Sequence, residues 1–306
     1  MLKRRHTHAA LVLLLAFLGA TQLLAQQAAP ATKPRRFLMW KATSPTATVY
    51  LVGSIHLGDS SMYPLPKEVE AAFNAAKVLT VEVNIKNVDQ GKAIGLIQQY
   101  GMYAGDDSLT KHLSPETAAL LDTYCTEHSV PKAALEKMKP WIAAVTIAAM
   151  SWQQAGEDPT LGIDVHFLDE RQPSQRIDEL ETMESQLSVF ATASDEEQQA
   201  LLLTTLKDGD KAKEMLKRLL DAYSAGDPDA LQKLMDEESD MGTKSLTKKL
   251  LDDRNVVMTA KIDEYLKGKD PIFVVVGAAH IVGPKGIAKA LRDKGYKVEQ
   301  VTLEAK

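Results

Sequence analysis

Pro271 to Val276 reads Pro-Ile-Phe-Val-Val-Val, a run without a single polar side chain. A strand with one wet face alternates apolar and polar residues. A run that is apolar throughout, and β-branched at four of its six positions, belongs to a strand covered on both faces. A helical pattern follows (Pro284 to Lys294), then Gly295, then a strand from Tyr296 to Thr302. The other end of the chain repeats the order. Thr48 to Val52 is a β-branched and aromatic strand bounded by Pro45 and Gly53. Leu65 to Lys77 is helical, with Val69, Phe73 and Ala76 on one face, and Val78 to Val83 is the next strand. Phe37 to Lys41 adds a short strand ahead of them. Strand, helix, strand in sequence predicts parallel pairing with helices across the faces.

The middle of the chain is helical in character. Gln90 to Gln172 is broken at Gly101, Gly105, Pro115, Pro131 and Pro140. Ser114-Pro115-Glu116 is a helix start, with serine as cap and proline in the first turn. Trp141 to Gln154 is apolar enough to be a buried helix, and Gln175 to Leu180 is a short strand candidate. Glu181 opens a long helical stretch to Leu266, with breaks expected at Ser194-Asp195, Asp208-Gly209, Gly226-Asp227-Pro228 and Met241-Gly242, and a stop at Gly268. Asp195-Glu196-Glu197 suits a helix N-terminus, which favours negative charge. The expected fold is therefore α/β: a mainly parallel central sheet built from N- and C-terminal βαβ units, with a large helical insertion over about residues 90–268 of a domain spanning 37–306.

Residues 1–25 have the pattern of a secretory signal peptide: Lys3, Arg4 and Arg5, then an apolar stretch, then alanine at the expected cut after Ala25. The apolar stretch is short for a membrane span, which takes about 20 residues. Residues 26–36 read as a flexible lead-in. The expectation is a periplasmic or secreted protein with no stable membrane span after cleavage. Losing Lys3, Arg4 and Arg5 would take the net charge from −5 to −8. Nothing in that balance suits a nucleic-acid partner, whose binders carry a basic face. The single cysteine, Cys125, rules out an internal disulfide, so the core must hold the fold alone. Its place in LLDTYCTEH reads as a buried structural thiol.

Two motifs carry the candidate chemistry. Gly53-Ser54-Ile55-His56 follows one strand and Gly277-Ala278-Ala279-His280 follows another. Ligands of open parallel sheets bind beyond the carboxyl ends of the strands, and both histidines fall there. Glu82, in LTVEVN, sits near the end of a third strand, although alternation also allows Thr80, Glu82 and Asn84 to share a wet side. Glu181 stands in an acidic crowd with Asp178, Glu179 and Glu184, and Asp164 precedes His166 by two residues. Two histidines with one or two carboxylates compose a site for zinc, manganese, cobalt or iron. A metal-free arrangement is equally open, with a histidine and a glutamate activating water and Arg254 stabilising an oxyanion.

GSIHLGDSSMYPLP, the glutamate of LTVEVN, KPW, GIDVHF, ELETMESQ, the Arg-Asn pair of DDRNVVM, and VVVGAAHIVGPKGIAKALRDKGYKV occur in that order. Together they resemble the TraB/PrgY/GumN family in its bacterial GumN-like branch, over about Phe37 to Val301. The resemblance implies an α/β core with helical insertions like that of erythromycin esterases and the haem-binding ChaN proteins. It also implies kinship with the Tiki proteins, metal-dependent proteases favouring manganese or cobalt. Carried over by motif, the implied metal ligands are His56, His280 and Glu82. Glu181 is a further candidate by motif, and Asp164, Gln186, Arg254 and Asn255 match family positions as site support; the expected catalytic residues are Glu82, Glu181 and Arg254. The expected function is an exported metal-dependent hydrolase, peptidase-like, acting on a peptide or small molecule. The alternatives are a non-catalytic binder of a peptide, signal molecule or haem, and a metal-free His/Glu esterase.

Overall fold

The computed structural model of the chain describes residues 36–58, 60–154, 158–239 and 244–304. The signal peptide, almost all of the lead-in and the Met241-Gly242 break fall outside the described residues. The elements in chain order are β1 (Arg36–Thr43), β2 (Thr48–Ser54), α1 (Lys67–Ala75) and β3 (Val78–Val81), then α2 (Gln90–Gly101), α3 (Pro115–Glu127), α4 (Pro140–Gln154), α5 (Ile163–Asp169) and β4 (Arg176–Glu179). They continue with α6 (Met183–Ala191), α7 (Asp195–Ser224), α8 (Pro228–Ser239), α9 (Lys244–Thr247) and α10 (Asp253–Leu266), then β5 (Ile272–Gly277), α11 (Ala278–Ile281), α12 (Ile287–Asp293) and β6 (Lys297–Thr302). A π-helical turn, Lys248–Asp252, joins α9 to α10.

One six-stranded sheet has the order β4-β3-β5-β2-β1-β6. The pairs β4–β3, β3–β5 and β5–β2 are parallel, and β1 is antiparallel to both of its neighbours. This is the expected mainly parallel sheet, with one difference. The two βαβ units do not stand side by side. β5 lies between β2 and β3, pairing Val49–Ser54 with Ile272–Gly277 on one side and Val78–Val81 with Ile272–Val275 on the other. The units therefore interlock, and an apolar run at residues 271–276 becomes the centre of the sheet.

The central position explains the composition of β5. Ile272 to Val276 are all buried, Phe273 to Val276 completely. Phe273 closes an aromatic cluster with Phe73 of α1 and Phe167 of α5, with ring centroids 5.3 and 4.8 Å away. A second core lies among the inserted helices. There Trp141 of α4 stacks on Phe190 of α6 at 5.2 Å, with Leu121, Ile147, Leu187 and Leu202 around them. The indole N–H donates to Tyr100 O at 3.2 Å. Cys125 is buried in this second core, as expected.

The strand candidate at Gln175 to Leu180 is present as β4, which joins the sheet beside β3. Two boundaries differ from the sequence expectation. α7 runs unbroken through Asp208-Gly209. A helical glycine costs only about 1 kcal/mol, and α7 recovers more than that by packing on α3, α4 and α8. Its start is as read: Ser194 and Glu197 form a capping box. Finally, α6 begins at Met183 behind a Thr182 cap, so Glu181 stands ahead of the helix instead of opening it. No described helix is long and apolar enough to cross a membrane.

The aromatic cluster gives a direct test of the central strand. Phe273→Ala removes a fully buried ring and should cost about 3–5 kcal/mol, read from the denaturant midpoint of unfolding.

Candidate active site

β2 ends at Ser54, and the chain turns through Ile55 and His56 onto the loop that leads into α5. The two loops are joined by backbone. Gly58 and Asp158 exchange N–H···O bonds at 3.2 Å in both directions, and Ile163 N donates to Ile55 O at 3.0 Å. Glycines allow the approach: a Cβ on Gly162 would lie 2.7 Å from His56 O, and one on Gly58 would lie 2.4 Å from Leu161 O. This places Asp164, in the first turn of α5, beside His56. Asp164 Oδ2 lies 2.7 Å from His56 Nδ1, and Oδ1 accepts from Ser54 Oγ at 2.7 Å. Ser, His and Asp are thus present, but not as a nucleophilic triad. The serine hydroxyl bonds to the aspartate and not to the far nitrogen of the ring.

The second motif sits at the end of β5. His280, on the short α11, is 4% exposed. Its Nδ1 lies 2.7 Å from Asn255 Oδ1, and Asn255 Nδ2 donates to Lys285 O at 3.1 Å. Asn255 and its neighbour Arg254 open α10, and both are buried. They follow directly on the π-helical turn, in which Asp253 N donates to Lys248 O. Such turns recur at functional sites. Here two consecutive residues serve two different strand ends.

Glu82 lies one residue beyond β3, not within it. Its side of the chain is not wet: Thr80 is fully buried and Glu82 is 5% exposed. Glu82 Oε1 accepts from Gly277 N at 2.7 Å. Oε2 accepts from Arg254 Nη2 at 2.7 Å and Gln186 Nε2 at 3.1 Å. Arg254 also grips Glu181 through Nε, at 2.9 and 3.0 Å, and Nη2, at 2.5 Å, while Nη1 donates to Leu250 O. Gln186 Nε2 reaches Glu181 Oε2 as well, at 3.1 Å. The result is a buried carboxylate–guanidinium–carboxylate group spanning β3, the β4–α6 loop and α10.

These pieces meet over Gly277. A Cβ built there would lie 3.4 Å from Glu82 Oε1, 3.6 Å from His280 Cδ2 and 3.7 Å from His56 Nε2. Only the missing side chain leaves that space open. His280 Nε2 lies 3.8 Å from Glu82 Oε1.

The charges follow from these contacts. Burial alone would raise Glu82, but the charges of His280, Arg254 and His56 and the Gly277 N–H outweigh it and hold the carboxyl down at about 2. Burial lowers His280 to about 4, and the Glu82 carboxylate opposes this only in part. His280 is therefore uncharged at neutral pH, where Arg254, His56 and the Gly277 N–H keep Glu82 ionised. Burial would lower His56 too, yet the charge and hydrogen bond of Asp164, helped by Glu82, push it up to about 9. Two motifs with the same spelling thus hold imidazoles in opposite charge states.

The structure brings together the residues given roles from the sequence: His56, Glu82, Glu181, Arg254 and His280, with Asp164, Gln186 and Asn255. His166 points elsewhere, onto Glu70 Oε1 at 3.1 Å and the Tyr63 ring. Of the acidic crowd around Glu181, Asp178 pairs with Arg176 and Glu179 accepts from Asn84 N. Ser54 and Gly162 belong to the site as well. Their signal was present in Gly-Ser-Ile-His and Gly-Ile-Asp, where small residues adjoin the chemical ones.

An α/β sheet with two strand-end histidines and a buried glutamate converging between them defines the class of this protein. The chain belongs to the TraB/PrgY/gumN family, whose model matches residues 38–300. It is 24% identical over 244 residues to the uncharacterized protein YbaP of Escherichia coli (strain K12), covering 79% of this chain and 87% of YbaP. YbaP of Shigella flexneri gives the same figures. An uncharacterized protein of Treponema pallidum (strain Nichols) is 21% identical over 304 residues, covering 92% of this chain and 89% of that protein. No solved structure matches the chain.

Two substitutions test the construction. Gly162→Ala should drive the α5 loop off His56 and cost about 1–3 kcal/mol, with the His56–Asp164 bond lengthened in a crystal structure of the variant. Arg254→Ala strands two buried carboxylates and should destabilise by about 3–5 kcal/mol, measured by chemical denaturation.

Proposed function

We propose that the protein is an exported metal-dependent hydrolase with peptidase-like chemistry. The observation that carries this reading is the convergence of His56 Nε2, Glu82 Oε1 and the His280 ring on the space over Gly277. The donor types suit manganese, cobalt or zinc. Both imidazoles are held at Nδ1 by side-chain oxygens, the support that metal-binding histidines require. Glu82, Glu181 and Asp164 outnumber the cations Arg254 and His56, so the cluster favours a further positive charge, and an ion bound at His56 Nε2 would displace the proton there. Among the described residues no group of three or more His, Cys, Asp or Glu side chains stands at metal-ligand spacing. The site supplies the donors without forming a closed cage.

A bound divalent ion would supply a water of lowered pKa. His56 and His280 would hold the ion. Glu82 would complete the ligand set or take a proton as general base. Glu181 and Arg254 act on the same reaction through Glu82: four of the five Arg254 N–H groups are committed to Glu82, Glu181 and Leu250 O. The guanidinium therefore orients the carboxylate and has one N–H left for a substrate oxygen. The apolar leader after Lys3-Arg4-Arg5 supports export, and a peptide or small-molecule substrate fits the acidic net charge no worse than any other. The short His56–Asp164 contact also favours a second reading, a metal-free hydrolase in which that pair transfers the proton.

Purified protein should take up manganese, cobalt or zinc in calorimetry, and His56→Ala and His280→Ala should lose that uptake. Gly277→Ala is the sharper probe. Its φ of −48° and ψ of 134° suit alanine, so the variant should fold as stably as wild type while its methyl occupies the space between the donors. Metal affinity equal to wild type in Gly277→Ala and both histidine variants would sink the metal assignment. Peptide hydrolysis should vanish in chelator and return with manganese or cobalt, whereas full activity in chelator would select the metal-free reading.

A further inference from the structure

The two histidine anchors differ in kind, and the difference extends one residue further than the imidazole. Asn255 carries both a donor and an acceptor, so its own orientation decides what it offers His280. Its Nδ2 faces Lys285 O at 3.1 Å. A backbone carbonyl can only accept, so the amide NH2 must point at Lys285 and Oδ1 must point at His280. Flipping the amide would set two oxygens against each other in a buried place, since Asn255 is 4% exposed. Oδ1 in turn can only accept, and His280 Nδ1 lies 2.7 Å from it. The proton of the neutral ring must then sit on Nδ1.

We infer that Asn255 is a positioning residue that fixes the proton of His280 on Nδ1, with the Lys285 carbonyl as the fixed point from which the orientation is read, so that Nε2 is the nitrogen left to face the space beside Glu82. Asp164 asks for the same Nδ1 proton on His56, since a carboxylate too can only accept. The difference is charge: the Asp164 carboxylate also favours the imidazolium, and the neutral Asn255 amide does not. The inference deepens the metal-hydrolase reading, because a bare Nε2 is what an ion needs. It is nonetheless tested on metal-free protein, so it can fail or stand separately from that reading.

The experiment is nitrogen NMR of the whole protein labelled at histidine and freed of metal, at neutral pH, with His280→Gln to assign the signal. Wild type should show Nδ1 protonated at His280. In Asn255→Ala the ring should mix tautomers. Lys285→Ala keeps its backbone carbonyl and should leave the wild-type tautomer in place. Manganese affinity, titrated with the ion alone, should fall about 10- to 100-fold in Asn255→Ala. A bare Nδ1 in wild type overturns the inference, and so does an Asn255→Ala spectrum identical to wild type. Should Asn255→Ala fail to fold, the wild-type spectrum decides alone.

Discussion

Parallel pairing of one strand with two others is the constraint on which the rest depends. β5 hydrogen-bonds to β2 and β3 at once, and its register sets Ser54 opposite Gly277 and Val81 opposite Val275. The two Gly-x-x-His turns therefore leave the sheet side by side, with Glu82 on the other flank of β5. No contact between the side chains is needed to bring them together. The ladder does it, and the apolar faces of β5 hold the ladder between helices.

Electrostatics then completes what the ladder begins. A glutamate buried at the end of β3 would be neutral without positive charge beside it, and Arg254 is the cation hydrogen-bonded to it. Glu181 offsets the guanidinium in turn, so one long side chain is held by carboxylates from both sides. Replacing the whole group by hydrophobic residues of similar size would cost less than removing half of it. The arrangement is thus costly as a stability device and well suited to fixing a carboxylate in one place.

Much of this was legible in the residues. The all-apolar run at 271–276 specified a doubly covered strand, and the paired Gly-x-x-His turns specified where to look for chemistry. Glu82 was ambiguous, because period-two alternation cannot tell a wet face from a face covered by α10. The order of the strands was not legible at all. Local pattern gives strand, helix, strand, and only packing tells that β5 enters between β2 and β3. Gly209 was misread for a related reason: the helix α7 is held by its neighbours, and its propensity at one position is a small term beside them. The opposite charge states of His56 and His280 also lay outside the sequence, since they depend on whether Asp164 or Asn255 arrives at the ring.

The interlocked topology has a consequence for biosynthesis. His56 and Glu82 belong to the first third of the chain, while Arg254, Asn255 and His280 come from its last fifth, and the strand that aligns them is the fifth of six. A nascent chain carries one imidazole and one unpaired glutamate and nothing to bring them into register. The cluster is assembled only once β5 and α11 have been synthesised, so a chain that stops before them lacks it.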